Sequence, residues 1–193
     1  MRRTPVKPTT RSFTVLLATA LVLLTARFIA QDKGKTAAAE LTSESQAALT
    51  RLDASAPLAK TLGPKAHAVL IFPTITKAGL GIGGQYGEGT LFKAGKAAAY
   101  YKTTGASFGL QAGGQQYGYA MFFMNEKALS QLDDANGFEV GVGPSVVMVD
   151  EGLAKTTTTT TLKDDIYAFV FGQKGLMAGL GIQGNKVKRI EPK

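Results

Sequence analysis

Gly79, Gly81 and Gly84 stand at the spacing G-x-G-x-x-G behind the strand-like run at residues 68–72. In a dinucleotide site such glycines lead a pyrophosphate to a helix N-terminus, with an acid about 20 residues on for the ribose. Here the residues that follow, 85–92, read as turn and strand, and residues 99–106 hold no carboxylate. Dinucleotide chemistry is set aside. Asp133-Asp134-Ala135-Asn136-Gly137 has the glycine of a calcium loop but lacks a third oxygen ligand before it and the distal glutamate. Asp150-Glu151 and Asp164-Asp165 are adjacent carboxylates; neighbours on a strand point to opposite faces, so neither pair is placed to share a proton. Ser145 follows Gly143-Pro144, outside any G-x-S-x-G elbow. His67, the one imidazole, precedes a buried strand and reads as a strand-edge residue. No nucleophile, base and oxyanion donor come together. A non-enzymatic chain with no cofactor and no metal is the expectation.

Composition points the same way. The chain has 193 residues, 45% hydrophobic and 19% charged, with 23 glycines and no cysteine. That is enough apolar content for a core and too little charge for a disordered chain. The missing cysteines exclude disulfides, thiolate zinc, thiol nucleophiles and lipidation through cysteine. The formal charge of +8 is unevenly spread: residues 1–35 carry seven basic side chains against Asp32 alone, and residues 36–193 carry 15 against 13 acids. A nucleic-acid binder would hold its charge on the folded body, so nucleic acid is not an expected partner.

The basic residues cluster where an address would sit. Arg2, Arg3, Lys7 and Arg11 precede an uncharged apolar run at 13–26, the layout of a secretory signal. The run is short for a bilayer span of about 20 residues; an uncleaved anchor is the competing reading. Residues 1–30 are therefore read as signal peptide or N-terminal anchor, 31–39 as linker and 40–193 as the domain. The expected location is exported, periplasmic or envelope-associated.

Residues 37–62 are helical in composition, with Leu41, Ala48, Leu49 and Leu52 near one face. Ser55 is placed to cap a second helix with Pro57 in its first turn, and Gly63-Pro64 to end it. Strand character then dominates, with one inserted helix at 126–132 capped by Asn125 and stopped near Gly137. Crossover helices are absent. The expected fold is β-rich α+β, a curled antiparallel Gly-rich sheet or barrel-like core of about ten short strands, preceded by two helices. The six threonines at 156–161 suit an exposed or edge strand. An outer-membrane barrel shares the strand count but would need aromatic girdles that these strands do not clearly show.

Glycine recurs at alternate positions in residues 79–87, 109–118 and 179–184. In a strand this strips one face of side chains, which permits close approach of a helix, a second sheet layer or a flat ligand, and also sharp curvature.

Several separated stretches resemble the SYLF domain: Val69-Leu70-Ile71-Phe72-Pro73, Thr76 to Gly84, Gly105 to Gly113, Phe138 to Pro144, and Asp165-Ile166-Tyr167-Ala168 with Gly172 to Gly179. They occur in the family's order and span roughly residues 40–190. The resemblance implies a lipid-binding domain, with phosphoinositide and actin binding known of eukaryotic members, and it brings no catalytic residues. A surface for anionic head groups needs lysines beside an apolar or bare strip. Lys77 at the edge of the first glycine strand, Lys102 beside Tyr100-Tyr101, and Lys174 before Gly175-Leu176-Met177 are the candidates. The expected partners are membrane lipids with anionic head groups. The alternative is a structural or protein-interaction module of the cell envelope, meeting an envelope protein through the threonine strand or the helical preface.

Overall fold

The computed structural model describes residues 34–133, 137–139, 146–149, 164–175 and 185–193. The signal segment, the threonine tract, the third glycine stretch, Ser145 and the Asp150-Glu151 pair lie outside the described residues.

Residues 34–55 form helix α1, which starts inside the segment read as linker. Its buried positions Leu41, Ser45, Ala48 and Leu52 fall on one helical face. Helix α2 (Pro57–Leu62) follows, with proline in its first turn as expected. Its N-cap is Ala56, which has no side chain to offer; the Ser55 hydroxyl instead donates back to the carbonyls of Arg51 and Leu52. The cap assigned to Ser55 is thus corrected: a serine already inside a helix satisfies itself on the preceding turn. A 3-10 turn, Gly63–Lys65, closes the helical preface.

The sheet is β-rich and curled into a half-barrel, but its strands are not all short. Strand β1 (Ala68–Lys93) runs 26 residues and β2 (Lys96–Phe123) runs 28, joined by a two-residue turn at Ala94-Gly95. Both turn residues have positive φ, 48° and 76°, as the favoured hairpin turn requires. Helix α3 (Glu126–Ser130) begins at Asn125, whose side-chain oxygen accepts from the Ala128 N–H at 2.8 Å, and a 3-10 turn (Gln131–Asp133) continues it. Gly137 takes the left-handed conformation at φ 79°. Strands β3 (Phe138–Glu139), β4 (Val146–Val149), β5 (Ile166–Gly175) and β6 (Lys186–Ile190) complete the described elements.

Strand β2 is the spine. One edge pairs with β1 throughout; the other pairs with β5 near the end of β2 and with β6 near its start. Gln115 lies opposite Gly175 and Thr104 opposite Lys186, so β5 and β6 sit on β2 in the same register. All these pairs are antiparallel, as is β3 on β6, while β4 adds to β5 in parallel. The sheet is therefore mixed.

Two cores result. Leu70, Phe72, Ile75, Tyr119, Met121 and Phe123 fill the concave side with Leu91, Ala99 and Tyr101 from the far half of the hairpin, and α3 plugs this space with Ala128 and Leu129. The convex side of the first half buries Val69, Ile71, Phe122, Tyr167 and Phe169 under Ala48, Leu52, Leu58 and Leu62 of the helices.

The curl depends on glycine. A Cβ at Gly89 would stand 2.3 Å from the Ile71 carbonyl oxygen, and one at Gly87 would stand 2.8 Å from the Thr74 oxygen. Both neighbours belong to the same strand, so β1 doubles back on itself about its glycine-rich middle, where the pairing with β2 also slips between Leu80 and Ile82. Bulges increase local bend and twist. Gly89→Ala is expected to destabilise the protein by at least about 1–3 kcal/mol, since the obstacle is backbone and cannot swing away. Gly84→Ala is the control: an added Cβ meets only the Gly105 carbonyl oxygen, at an ordinary 3.8 Å, so stability stays equal or rises by about 0.4–1 kcal/mol. Urea denaturation of the two variants checks this; equal midpoints would contradict it.

Candidate functional site

On the convex side, two irregularities line up across three adjacent strands. Pro73 and Thr74 of β1 together face Gly118 of β2, because the register slips between Phe72 and Ile75. One residue along, Gly172 and Gln173 of β5 together face Tyr117, because the register slips between Gln116 and Gly118. Gly172 adopts φ 61°, a conformation glycine takes without strain. Bulges aligned in this way re-aim side chains and break the flat surface.

The break is a groove of about 400 Å³. Its polar walls are Thr74 and Gln116, and its apolar surface comes from Pro73 and Phe171. The Phe171 ring lies so close over Gly118 that a Cβ there would stand 2.4 Å from the ring. Arg51 from α1 and Lys174 from β5 add two cations to the lining, and no carboxylate is among the described lining residues. Positive charge beside a bare, apolar floor suits an anionic group carried on an apolar body.

The three lysines singled out in the sequence are not brought together. Lys174 is exposed and lines the groove. Lys102 is half-buried, placed between Glu88 of β1 and Lys188 of β6 in a row of mixed charge. Lys77, expected as a head-group lysine at the edge of the first glycine strand, is buried opposite Gln115 and away from the groove. Its alternation along β1 puts it on the concave face behind Phe72 and Ile75, a placement that the slip at Pro73-Thr74 determines. Arg51 was missed because its signal is tertiary: it lies on the exposed side of an ordinary amphipathic helix, and only docking of α1 brings it to the bulges.

Lys77 belongs to a buried polar set on the concave face. The Tyr117 hydroxyl donates to Gln85 Oε1 at 2.6 Å, and the Gln85 amide donates to Asn185 Oδ1. Gln85, Gln115 and Asn185 are all buried. Desolvation pushes the Tyr117 phenol up to about 12, and burial with the neighbouring Tyr117 raises Tyr119 as well. Tyr101 is pushed up to about 12, first by desolvation and then by Asp133, to which its hydroxyl donates at 3.3 Å. His67 pairs with Glu126 at 2.9 Å, both largely exposed. Among the described residues no cluster of three His, Cys, Asp or Glu could hold a metal, and no helix is long and apolar enough to cross a membrane.

The described residues thus form a curled sheet with a cationic groove, and their reactive side chains are dispersed. Comparison with known families adds a likeness. Residues 104–191 match the model of the Ysc84 family, described as "Las17-binding protein actin regulator", which bears out the SYLF resemblance. This is a family of lipid- and actin-patch-related binding and regulatory domains. The matched stretch holds Gln116, Gly118, Phe171 and Lys174; Arg51, Pro73 and Thr74 precede it. No curated protein matches the chain.

The tyrosines yield a test of the concave face. A phenol whose folded pKa is raised adds stability that is complete below its ordinary value of 10.0 and is lost as pH climbs through about 12. Alkaline titration is therefore expected to show phenolate absorbance rising together with loss of structure across that window. Tyr117→Phe, which strands Gln85 Oε1, costs about 1–3 kcal/mol. Tyr119→Phe removes a buried hydroxyl with no hydrogen-bond partner among the described residues, so it is neutral or stabilising. The reverse order in thermal melts would refute the assignment.

Proposed function

We propose that this chain is a non-enzymatic lipid-binding domain of an exported bacterial envelope protein, and that it takes anionic phospholipid head groups in the groove at the aligned bulges. The observation that carries this reading is the placing of Arg51 and Lys174 around Phe171 and Gly118 with no carboxylate among the described lining residues. The basic segment and apolar run before residue 27 support export. The family match supports a binding role over a catalytic one.

A second reading draws on the family's printed description, which names a protein partner. Strand β4 ends the described sheet and leaves Met148 exposed, which suits strand addition or a protein contact. In this reading the domain is an envelope interaction module.

Vesicle co-sedimentation separates the two. Each Lys or Arg close to an anionic surface contributes about 1 kcal/mol, so Arg51→Glu with Lys174→Glu is expected to cut binding to phosphatidylglycerol vesicles by at least about 30-fold, and high salt to do the same. Lys102→Gln, outside the groove, is expected to change it little. Absence of wild-type binding at low salt, or an Arg51/Lys174 double variant that still binds, sinks the lipid reading; a stoichiometric protein partner without lipid favours the second.

A further inference from the structure

The far half of the sheet presents an outward face that lies apart from the bulge groove. Cross-strand pairing arranges it in rows. Tyr86, Thr104, Lys186 and Glu139 stand side by side on β1, β2, β6 and β3, and Glu88, Lys102 and Lys188 form the next row. Alternation puts Gln85, Thr103 and Val187 on the buried side. Beyond Tyr86 the face continues as Gly84 and Ala106, with almost no side chain. At the other end α1 meets the sheet: the Thr90 hydroxyl donates to the Leu41 carbonyl, and the Thr42 and Tyr100 hydroxyls lie 3.0 Å apart. The result is a shelf against the start of α1.

Two features of the shelf point to a ligand. The first is a pair of like charges. Lys102 and Lys188 are directly opposed on β2 and β6, where side chains begin about 5 Å apart and like charges repel. Among the described residues neither ammonium belongs to an ion pair. Lys102 is half-buried, and the Lys188 stem lies over Gly137, where a Cβ would stand 2.8 Å from its Cγ. Glu88, opposite Lys102 on its other side, is engaged by Tyr86, whose hydroxyl donates to Oε1. An anion seated between the two lysines relieves their repulsion.

The second feature is Tyr86 itself, a large side chain 49% exposed. Its bond to Glu88 ties down the ring tip, and Gly84, Ala106 and Thr104 leave the ring face clear. An anchored ring with small neighbours is a stacking surface, and the C–H face of a sugar buries apolar area against it as another ring would. Strand and residue spacings put Tyr86 roughly 8 Å from Lys102 and roughly 12 Å from Lys188, the span of about two or three linked sugar rings. Charge decides between classes of ligand. Nucleic acid also stacks on aromatic rings, but Glu88 and Glu139 stand in the same two rows and oppose a phosphate at every step. A saccharide uses those carboxylates as acceptors for its hydroxyls and brings a single anionic group to the lysines.

We propose that this shelf binds an acidic saccharide, with one sugar ring stacked on Tyr86 and the acid group of a linked residue held between Lys102 and Lys188. The site uses neither Arg51 nor Lys174, so it stands or falls separately from the lipid reading.

The test is calorimetric titration of trigalacturonate and trimannuronate into the full chain, each beside its methyl ester, which keeps the rings and removes the charge. Wild type is expected to bind at least one triuronate saturably and its ester at least tenfold more weakly. Tyr86→Ala is expected to weaken acid and ester alike at least tenfold, and Tyr86→Phe, which keeps the ring, to stay within about threefold of wild type. Lys102→Gln with Lys188→Gln is expected to bring the acid down to the level of the ester. All these positions face outward, so the variants are expected to melt no lower than wild type, which separates lost binding from lost folding. Arg51→Glu with Lys174→Glu is expected to leave triuronate binding unchanged. No saturable binding of either triuronate, equal affinity for acid and ester, full binding by Tyr86→Ala, or equal affinity for an oligothymidylate overturns the proposal.

Discussion

The architecture depends on backbone meeting backbone inside one strand. Where Gly89 lies against Ile71 and Gly87 against Thr74, no side chain could intervene. Because β1 can double back there, the far half of the hairpin comes round to supply Leu91, Ala99 and Tyr101 to the same core as Leu70 and Phe72. The helices respond to the same geometry. Ser45 reaches the Ile71 carbonyl and the Thr90 hydroxyl reaches the Leu41 carbonyl, so α1 spans both ends of β1 at the place where they come together. Small side chains on both surfaces permit this depth of packing.

The bulges at Pro73-Thr74 and Gly172-Gln173 have two effects. They reset which residues face the core, which is why Lys77 ends up buried, and they open the groove on the opposite surface. The groove and the interior polar set around Gln85 and Tyr117 are in this sense two sides of one irregularity. A sheet in ideal register would have neither, because alternation would carry the same face through unbroken.

Much of this was legible in the residues. The Asn125 cap, the Gly137 stop, the glycine-rich curl and the helical preface follow from local chemistry, and each reappears where its signal stood. Strand lengths were not legible. Glycine and proline ordinarily punctuate strands, so residues 68–72 read as a strand of their own in a sheet of about ten short strands, although 68–93 is one strand, β1. Glycine here bends strands without ending them. Among the candidate lysines, Lys174 lay beside a glycine cluster that does make a bare surface; Lys77 looked the same locally, and its burial depends on a register slip two strands wide that no local pattern announces. Arg51 gained its meaning only when α1 docked.

The shared register of β5 and β6 along β2 has a consequence for how this chain can change. Tyr100 to Thr104 of β2 hold β6 and Gln115 to Phe123 hold β5, so both neighbours take their phase from one strand. A one-residue shift of β6 along β2 would turn the buried Val187 outward and a lysine inward. Phase on the spine therefore constrains β6 more tightly than the identity of its exposed residues does.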